Sequence, residues 1–401
     1  LTGPVMAKGL EDTAFYRFNR LVSLNEVGGD PSRFGIGVDE LHRENRARLR
    51  RWPASLLASS THDTKRSEDV RARISVLSEI PTEWRAAINR WSRLNRKHKA
   101  KIDGALAPHR ADEYVIYQTL IGTWALGDVR AIDHAAYRQR IIDYMLKVAR
   151  EASRFTNWSN PNEAYETALT AFISGLLDRR ASAAFLADLE AFVARVAPAG
   201  FTNALAQQVL KLTSPGVPDI YQGTETFDDS LVDPDNRRPV DFALLQAMLE
   251  SDDDHHWPPS DPTDGRGKLG LTRRLLQARA RHPALLQEGE YHALTVTGSC
   301  EQHVVAFARI LADDAMVTVV PRCTLAVMGE GGVDWGGTRI VLPDVLAGLP
   351  LRSLLSGAMV PIEHDDGVAT LAVGAVLAHE PVTVLTTHRE HGTAGVEGTD
   401  D

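Results

Sequence analysis

Between about residues 67 and 200 the apolar positions recur at helical spacing. Tyr114, Tyr117, Leu120, Ile121 and Trp124 form one stripe, and Tyr137, Ile141, Tyr144, Met145 and Val148 a second. Leu186, Leu189, Phe192, Val193 and Val196 form a third. Side chains three and four apart share a helix face, so each stripe predicts an amphipathic helix on a common core. Beyond about residue 285 the period changes. The runs Tyr291 to Val296, His303 to Leu311, Ala315 to Val320, Arg339 to Leu342, Ala369 to Val373 and Val382 to Thr387 predict short strands. Between these regions, a helix from Asn203 to Leu212 feeds a Pro-Gly turn. Ser251 to Gly267, acidic and Pro-rich, predicts a loop, and a basic helix from Leu269 to Arg281 ends before His282-Pro283. The first 63 residues read as strand and loop pieces around one helix, with Gly28-Gly29-Asp30-Pro31 as a loop signal. The tail after His388 reads as disordered.

A chain of 401 residues can hold two or three domains with real cores. Its net charge of −9 argues against a nucleic-acid scaffold and fits a neutral partner such as a sugar. Cys300 and Cys323 are the only cysteines, too few for a disulfide framework or a zinc ribbon, so a reducing cytoplasm is the expected compartment. No run is long enough to span a bilayer, so no membrane partner is expected. Leu1-Thr2-Gly3-Pro4 lacks a signal-peptide charge pattern and an initiator Met, which suggests a fragment. No Gly-rich nucleotide loop, HExxH or metal-ligand cluster is present, so neither cofactor nor metal is expected. His255-His256 reads as part of a solvated loop.

The densest chemical signal is Ser59-Ser60-Thr61-His62-Asp63-Thr64-Lys65-Arg66. A short run, Ala54 to Ala58, ends in small polar residues and a His-Asp pair. A carboxylate at the C-terminal end of a barrel strand stands where barrel enzymes do their chemistry. Asp63 beside His62 could stabilise an oxocarbenium-like transition state, or cap the next helix. Lys65 and Arg66 could orient Asp63 or reach sugar hydroxyls. Equally, they could form a solvated first turn, with Arg66 paired to Glu68, Asp69 or another carboxylate. Lys8-Gly9-Leu10-Glu11-Asp12-Thr13-Ala14-Phe15-Tyr16-Arg17 mixes charge and aromatics, as an ion-pair network or a sugar cleft would. Pro215 to Glu225 reads as a buried strand leaving a tight turn. In Asp233-Pro234-Asp235-Asn236-Arg237-Arg238-Pro239-Val240-Asp241, the residues Asp235, Asn236 and Arg237 could bind sugar hydroxyls, with Arg237 or Arg238 bridging carboxylates. Trp158, within Arg154 to Glu166, is either a core tryptophan on a helix or, with Tyr165, part of a lid.

These runs, together with Leu24-Asn25-Glu26-Val27-Gly28-Gly29, resemble the maltooligosyltrehalose synthases of the α-amylase glycoside hydrolase family from about residue 4 to 241. The resemblance implies an α/β fold: the C-terminal part of a (β/α)8 TIM barrel with a helical insertion and a C-terminal all-β sandwich domain. Residues 1–66 would carry about strands six and seven, 67–200 the insertion, 201–283 strand eight and the following helix, 284–389 the β-domain and 390–401 a tail. It implies Asp63 as the third catalytic carboxylate, His62 as its substrate-binding neighbour and Lys8 near the acceptor subsite. The implied reaction converts the reducing-end α-1,4 bond of a maltooligosaccharide to α,α-1,1 by a retaining route. Its nucleophile and acid/base belong to strands four and five, which have no counterpart here. The expected partners are therefore the maltooligosaccharide and the missing N-terminal part of the barrel. Two other readings stand beside this one: an α-glucan hydrolase of the same family, and a non-catalytic carbohydrate-binding fragment.

Overall fold

The computed structural model describes residues 2–125, 134–251, 257, 258, 261, 263–329 and 332–387. His255-His256 and the tail after His388 lie outside these residues.

The N-terminal region differs from its expected strand-and-loop character. Thr2–Pro4, Val5–Ala14 and Phe15–Arg17 continue as one helical stretch, the middle in π geometry. Phe15 and Tyr16 are buried, whereas Val5 and Met6 are exposed. A second helix, Val38–Arg51, has Asp39 and Glu40 in its first turn and Arg48, Arg50 and Arg51 in its last, each sign matching the local end of the helix dipole. Among the described residues before 66, strand structure is limited to Leu56–Leu57, which pairs in parallel with Val217–Pro218. The expected buried strand at Pro215 to Glu225 is thus two residues long, and Val217 is exposed. Pro215 and Pro218 have no N–H to extend a ladder. Gly216, at φ 131°, passes so close that a Cβ would stand 2.7 Å from Leu57 Cγ.

The helical stripes fold as read. The helices Pro81–Asn95, Arg110–Thr123, His134–Ala152, Glu163–Leu176 and Ala183–Thr213 enclose one apolar cluster. Trp91 lies at its centre, edge-on to Tyr117, Phe185 and Phe192 at 5.4, 5.7 and 5.5 Å. The stripe at 186–196 and the helix read at 203–212 belong to one 31-residue helix that runs through Pro198. An unforeseen hairpin, Ala100–Ile102 with Ala105–Ala107, turns on Asp103-Gly104, both at positive φ. Asp-Gly is the strongest short hairpin signal, because a type I′ turn needs two left-handed residues. Trp158 is not a core residue: its ring is exposed and carries the Arg150 guanidinium at 4.9 Å. Tyr165 is buried, and its hydroxyl donates to Asp112.

Beyond residue 289 the predicted runs fall into two antiparallel sheets, one of six strands and one of four, which also take in three strands not foreseen, Leu351–Ser353, Met359–Val360 and Glu363–Asp365. Ala306, Ala308, Val317, Val319 and Leu385 of the larger sheet meet Ile340 and Leu371 of the smaller. The larger sheet's other face, with Val305, Met316, Val320 and Val384, packs on Leu205, Val209, Leu212, Leu271 and Leu275. Period-two alternation therefore buries both faces. At this junction His42 Nδ1 lies 2.8 Å from Tyr291 Oη, joining the Val38–Arg51 helix to the sheet. Among the described residues no helix is long and apolar enough to cross a membrane.

Candidate active-site segment

The chain leaves Leu57 and turns sharply. Thr61 Oγ1 accepts from the Asp63 amide at 3.2 Å, and the Thr64 hydroxyl donates to the Thr61 carbonyl at 2.9 Å. His62 and Asp63 ride the tip of this turn with exposed side chains, Asp63 about half-accessible at 52%. The next two residues do the opposite. Lys65 and Arg66 are almost wholly buried, so the solvated first turn considered from sequence is not what forms.

Glu26 holds that inward step. Its carboxylate accepts from the Lys65 amide at 2.8 and 3.0 Å, from the Arg66 amide at 3.3 Å and from the Val27 amide at 2.8 Å. Backbone N–H groups aimed at a carboxylate fix a loop firmly, since charged acceptors make the stronger hydrogen bonds. Arg66 then reaches the Tyr144 hydroxyl at 2.6 Å and the Val22 carbonyl at 3.2 Å. It pairs with neither Glu68 nor Asp69.

Lys65 Nζ stands 3.2 Å from Asp12 Oδ1 and 3.7 Å from Asp63 Oδ1. Lys8 donates to Asp12 at 2.6 Å. Partial burial pushes the Asp12 carboxyl up, but hydrogen bonds from Lys8 and Lys65 outweigh it and hold the group below its usual range. Lys8 is raised in turn, mainly by its bond to Asp12. The structure thus brings Lys8, Asp12, Asp63 and Lys65 into one charged group. Asn236 joins it from the far side, donating to the His62 carbonyl at 3.1 Å.

Two residues are not brought in. Asp235 is clamped by Arg140, Nε to Oδ1 at 2.9 Å and Nη2 to Oδ2 at 3.0 Å, and accepts the Leu231 amide at 2.8 Å. Arg237 pairs with Asp233 at 2.7 Å on the surface. Beside the turn a cleft of about 640 Å³ opens, lined by Glu26, Gly28, Gly29, Arg33, Thr61 and Arg71.

A buried ionic cluster underlies the turn, and sequence reading did not isolate it. Glu68 begins the helix Glu68–Ser75 and meets Lys268 at 2.7 Å and Lys211 at 3.4 Å; Lys268 also meets Asp69 at 2.8 Å. Lys211 donates to the Ser59 hydroxyl at 2.7 Å, and the Ser60 hydroxyl accepts the Glu68 amide at 2.9 Å. Burial favours the neutral form of Glu68, but the two lysines overcome it and bring the carboxyl down to about 2. Asp69 goes the other way: burial, reinforced by Glu68 and opposed by Lys268, pushes it up to about 6. The available sequence signal was Lys268, a cation inside the apolar inward face Leu269, Leu271 and Leu275.

Comparison with solved structures first defines the class. The chain shares its fold with a maltooligosyltrehalose synthase from Arthrobacter ramosus, at TM-score 0.81 and 36% identity, over 96% of this chain and 45% of that one. A Sulfolobus tokodaii protein, described as a hypothetical maltooligosyl trehalose synthase, matches at TM-score 0.72 and 29% identity over 96% and 46%. A Mycobacterium tuberculosis protein, named in two strains for maltooligosyl trehalose synthase, is 41% identical over 345 residues, 86% of this chain and 40% of the relative. The chain is a homologue of the maltooligosyltrehalose synthases, and it spans about 40% of the length of these curated relatives. No protein-family model matches it.

Proposed function

We propose that this chain is part of a maltooligosyltrehalose synthase, an intramolecular transferase that converts the reducing-end α-1,4 bond of a maltooligosaccharide to α,α-1,1. The observation that carries the reading is Asp63: an accessible carboxylate on the turn leaving a parallel strand, in a chain 41% identical to a synthase-named relative. On this reading Leu56–Leu57 and Val217–Pro218 are neighbours in a (β/α)8 barrel, and Asp63 stands at its catalytic end. Residues 67–200 are the helical insertion, 201–283 return to the barrel, and 284–389 form a β-sandwich. The two sheets sharing one core support the last assignment.

Asp63 stabilises the oxocarbenium-like transition state, and Lys65, 3.7 Å away, aims it. His62 presents its ring to the sugar, with its backbone anchored by Asn236. Lys8 faces the acceptor side through Asp12. Arg66, with Glu26, acts on Asp63 by fixing the turn rather than by touching sugar. Asp235 holds the loop through Arg140. Arg237 is the outermost candidate for a sugar contact. The nucleophile and the acid/base come from the rest of the barrel, supplied by a further segment. The glucose released in the first half-reaction turns within a water-poor pocket, and its anomeric hydroxyl attacks in place of water. The compartment is the cytoplasm.

The test is Asp63→Asn in the enzyme reassembled from this chain and the upstream barrel segment of a relative, assayed with maltopentaose. The expected result is at least a hundredfold loss of non-reducing product, the scale of removing one transition-state charge partner. Activity within threefold of the parent would remove Asp63 from the chemistry.

A further inference from the structure

Two adjoining clefts in the helical region, of about 530 and 750 Å³, share Ile88, Asn89, Arg110 and Tyr114 in their lining and are taken together as one groove. That is the size of a small-molecule site, and none of its lining comes from the 59–66 turn. Four exposed arginines line it: Arg93 in the first cleft, Arg20 and Arg85 in the second, and Arg110 in both. Arg93 gives its Nε to the Asn89 carbonyl at 3.0 Å, and Arg20 lies over the Phe18 ring at 5.5 Å. Among the described residues none of the four pairs with a carboxylate. The acid in the lining, Glu113, is already neutralised by Lys99 at 2.7 Å and accepts the Tyr117 hydroxyl at 2.9 Å. A chain of net charge −9 therefore gathers four guanidinium groups that have no carboxylate partner around one concavity, where their fields add.

The aromatic wall is Tyr114, half-buried and held from behind by Trp84, itself a buried core residue. Trp84 Nε1 donates to the Tyr114 hydroxyl at 3.0 Å, which donates to the Arg20 carbonyl at 3.0 Å. Guanidinium forks match phosphate oxygens in pairs, and aromatic walls favour a ring. We propose that this groove binds a phosphorylated small molecule with a ring-bearing body, its phosphate between Arg85 and Arg110 and its ring toward Tyr114. The groove is a second site, separate from Asp63.

The experiment is calorimetric titration of this chain with ATP, glucose 6-phosphate and pyrophosphate, with glucose as the uncharged control. The comparison is the double variant Arg85→Gln/Arg110→Gln. The expected result is binding of ATP or glucose 6-phosphate that weakens with added salt and falls at least about tenfold in the variant, while glucose does not bind. Which of the two binds more tightly identifies the body as nucleoside or sugar. Both arginines are exposed, so an unchanged melting curve is expected and certifies the variant's fold. Absence of binding by every phosphorylated probe, or equal binding by variant and parent, overturns the proposal. Pyrophosphate binding as tightly as both ring-bearing probes overturns its ring half.

Discussion

The helical region and the parallel strand pair treat apolar side chains in opposite ways. Around Trp91 the helices close on one another, and Ile116, Leu169 and Phe172 are wholly buried. At the parallel pair Trp52, Leu56 and Val217 face solvent, Leu56 at 72% exposure, and among the described residues each strand pairs with the other alone. Apolar area removed from water stabilises a fold by about 25 cal/mol per Å². The helical region gains that within itself. The strand pair gains it only if further chain covers it, and an unpaired strand edge is a template for such chain. On the proposed reading, the difference separates what folds within this chain from what an upstream barrel segment would complete, with the charged turn of Asp63 between the two.

The largest expected effect lies on the closed side. Trp91→Ala should cost about 3–5 kcal/mol of stability, as a large core aromatic does when its cavity cannot collapse. Denaturant titration checks this, and a loss below about 1 kcal/mol would break the contrast. Next comes the ionic cluster between the regions. Between about pH 4 and 6 the folded chain keeps a proton on Asp69 that the unfolded chain has released, so this contribution falls as pH rises through that window. Glu68 has the opposite sign: its contribution is complete above about pH 4.5 and is lost as pH falls toward 2. Asp69→Asn should flatten the first slope and leave the second. Stability measured in steps from pH 3 to 7 decides it, and an unaltered slope between 4 and 6 would contradict the assignment. The smallest effect lies on the open side. Leu56→Ser with Val217→Ser should change this chain's own stability by no more than about 0.5 kcal/mol, because neither side chain leaves a core. The same pair should weaken association with an upstream barrel segment.

Local rules made much of the fold legible. Tyr114, Tyr117, Leu120 and Ile121 announce their helix because burial on one face imposes the spacing. The strands Val304–Leu311 and Asp314–Pro321 announce themselves as short, nearly continuous apolar runs rich in β-branched residues, whereas the two- and three-residue strands at 351–353, 359–360 and 363–365 are too short to carry such a signal. Asp103-Gly104 carried a hairpin signal that a uniformly helical reading passed over. The candidate site was legible in composition but not in depth. His62, Asp63, Lys65 and Arg66 are adjacent in sequence, and nothing in their spacing says that two point outward and two inward. That division comes from Glu26, about 40 residues upstream, and from Tyr144, about 80 downstream. Trp158 shows the reverse: residue type suggested burial, whereas a cation on its face lets the ring remain in solvent.

The most direct test of the central claim is an incubation with maltopentaose, with products resolved by chromatography and reducing-end assay. This chain would be tested alone and mixed with the upstream barrel segment of a synthase relative. The account predicts no turnover by the chain alone, and from the mixture a non-reducing product of unchanged mass. Turnover by the chain alone, or an inert mixture whose two parts do associate, would contradict it.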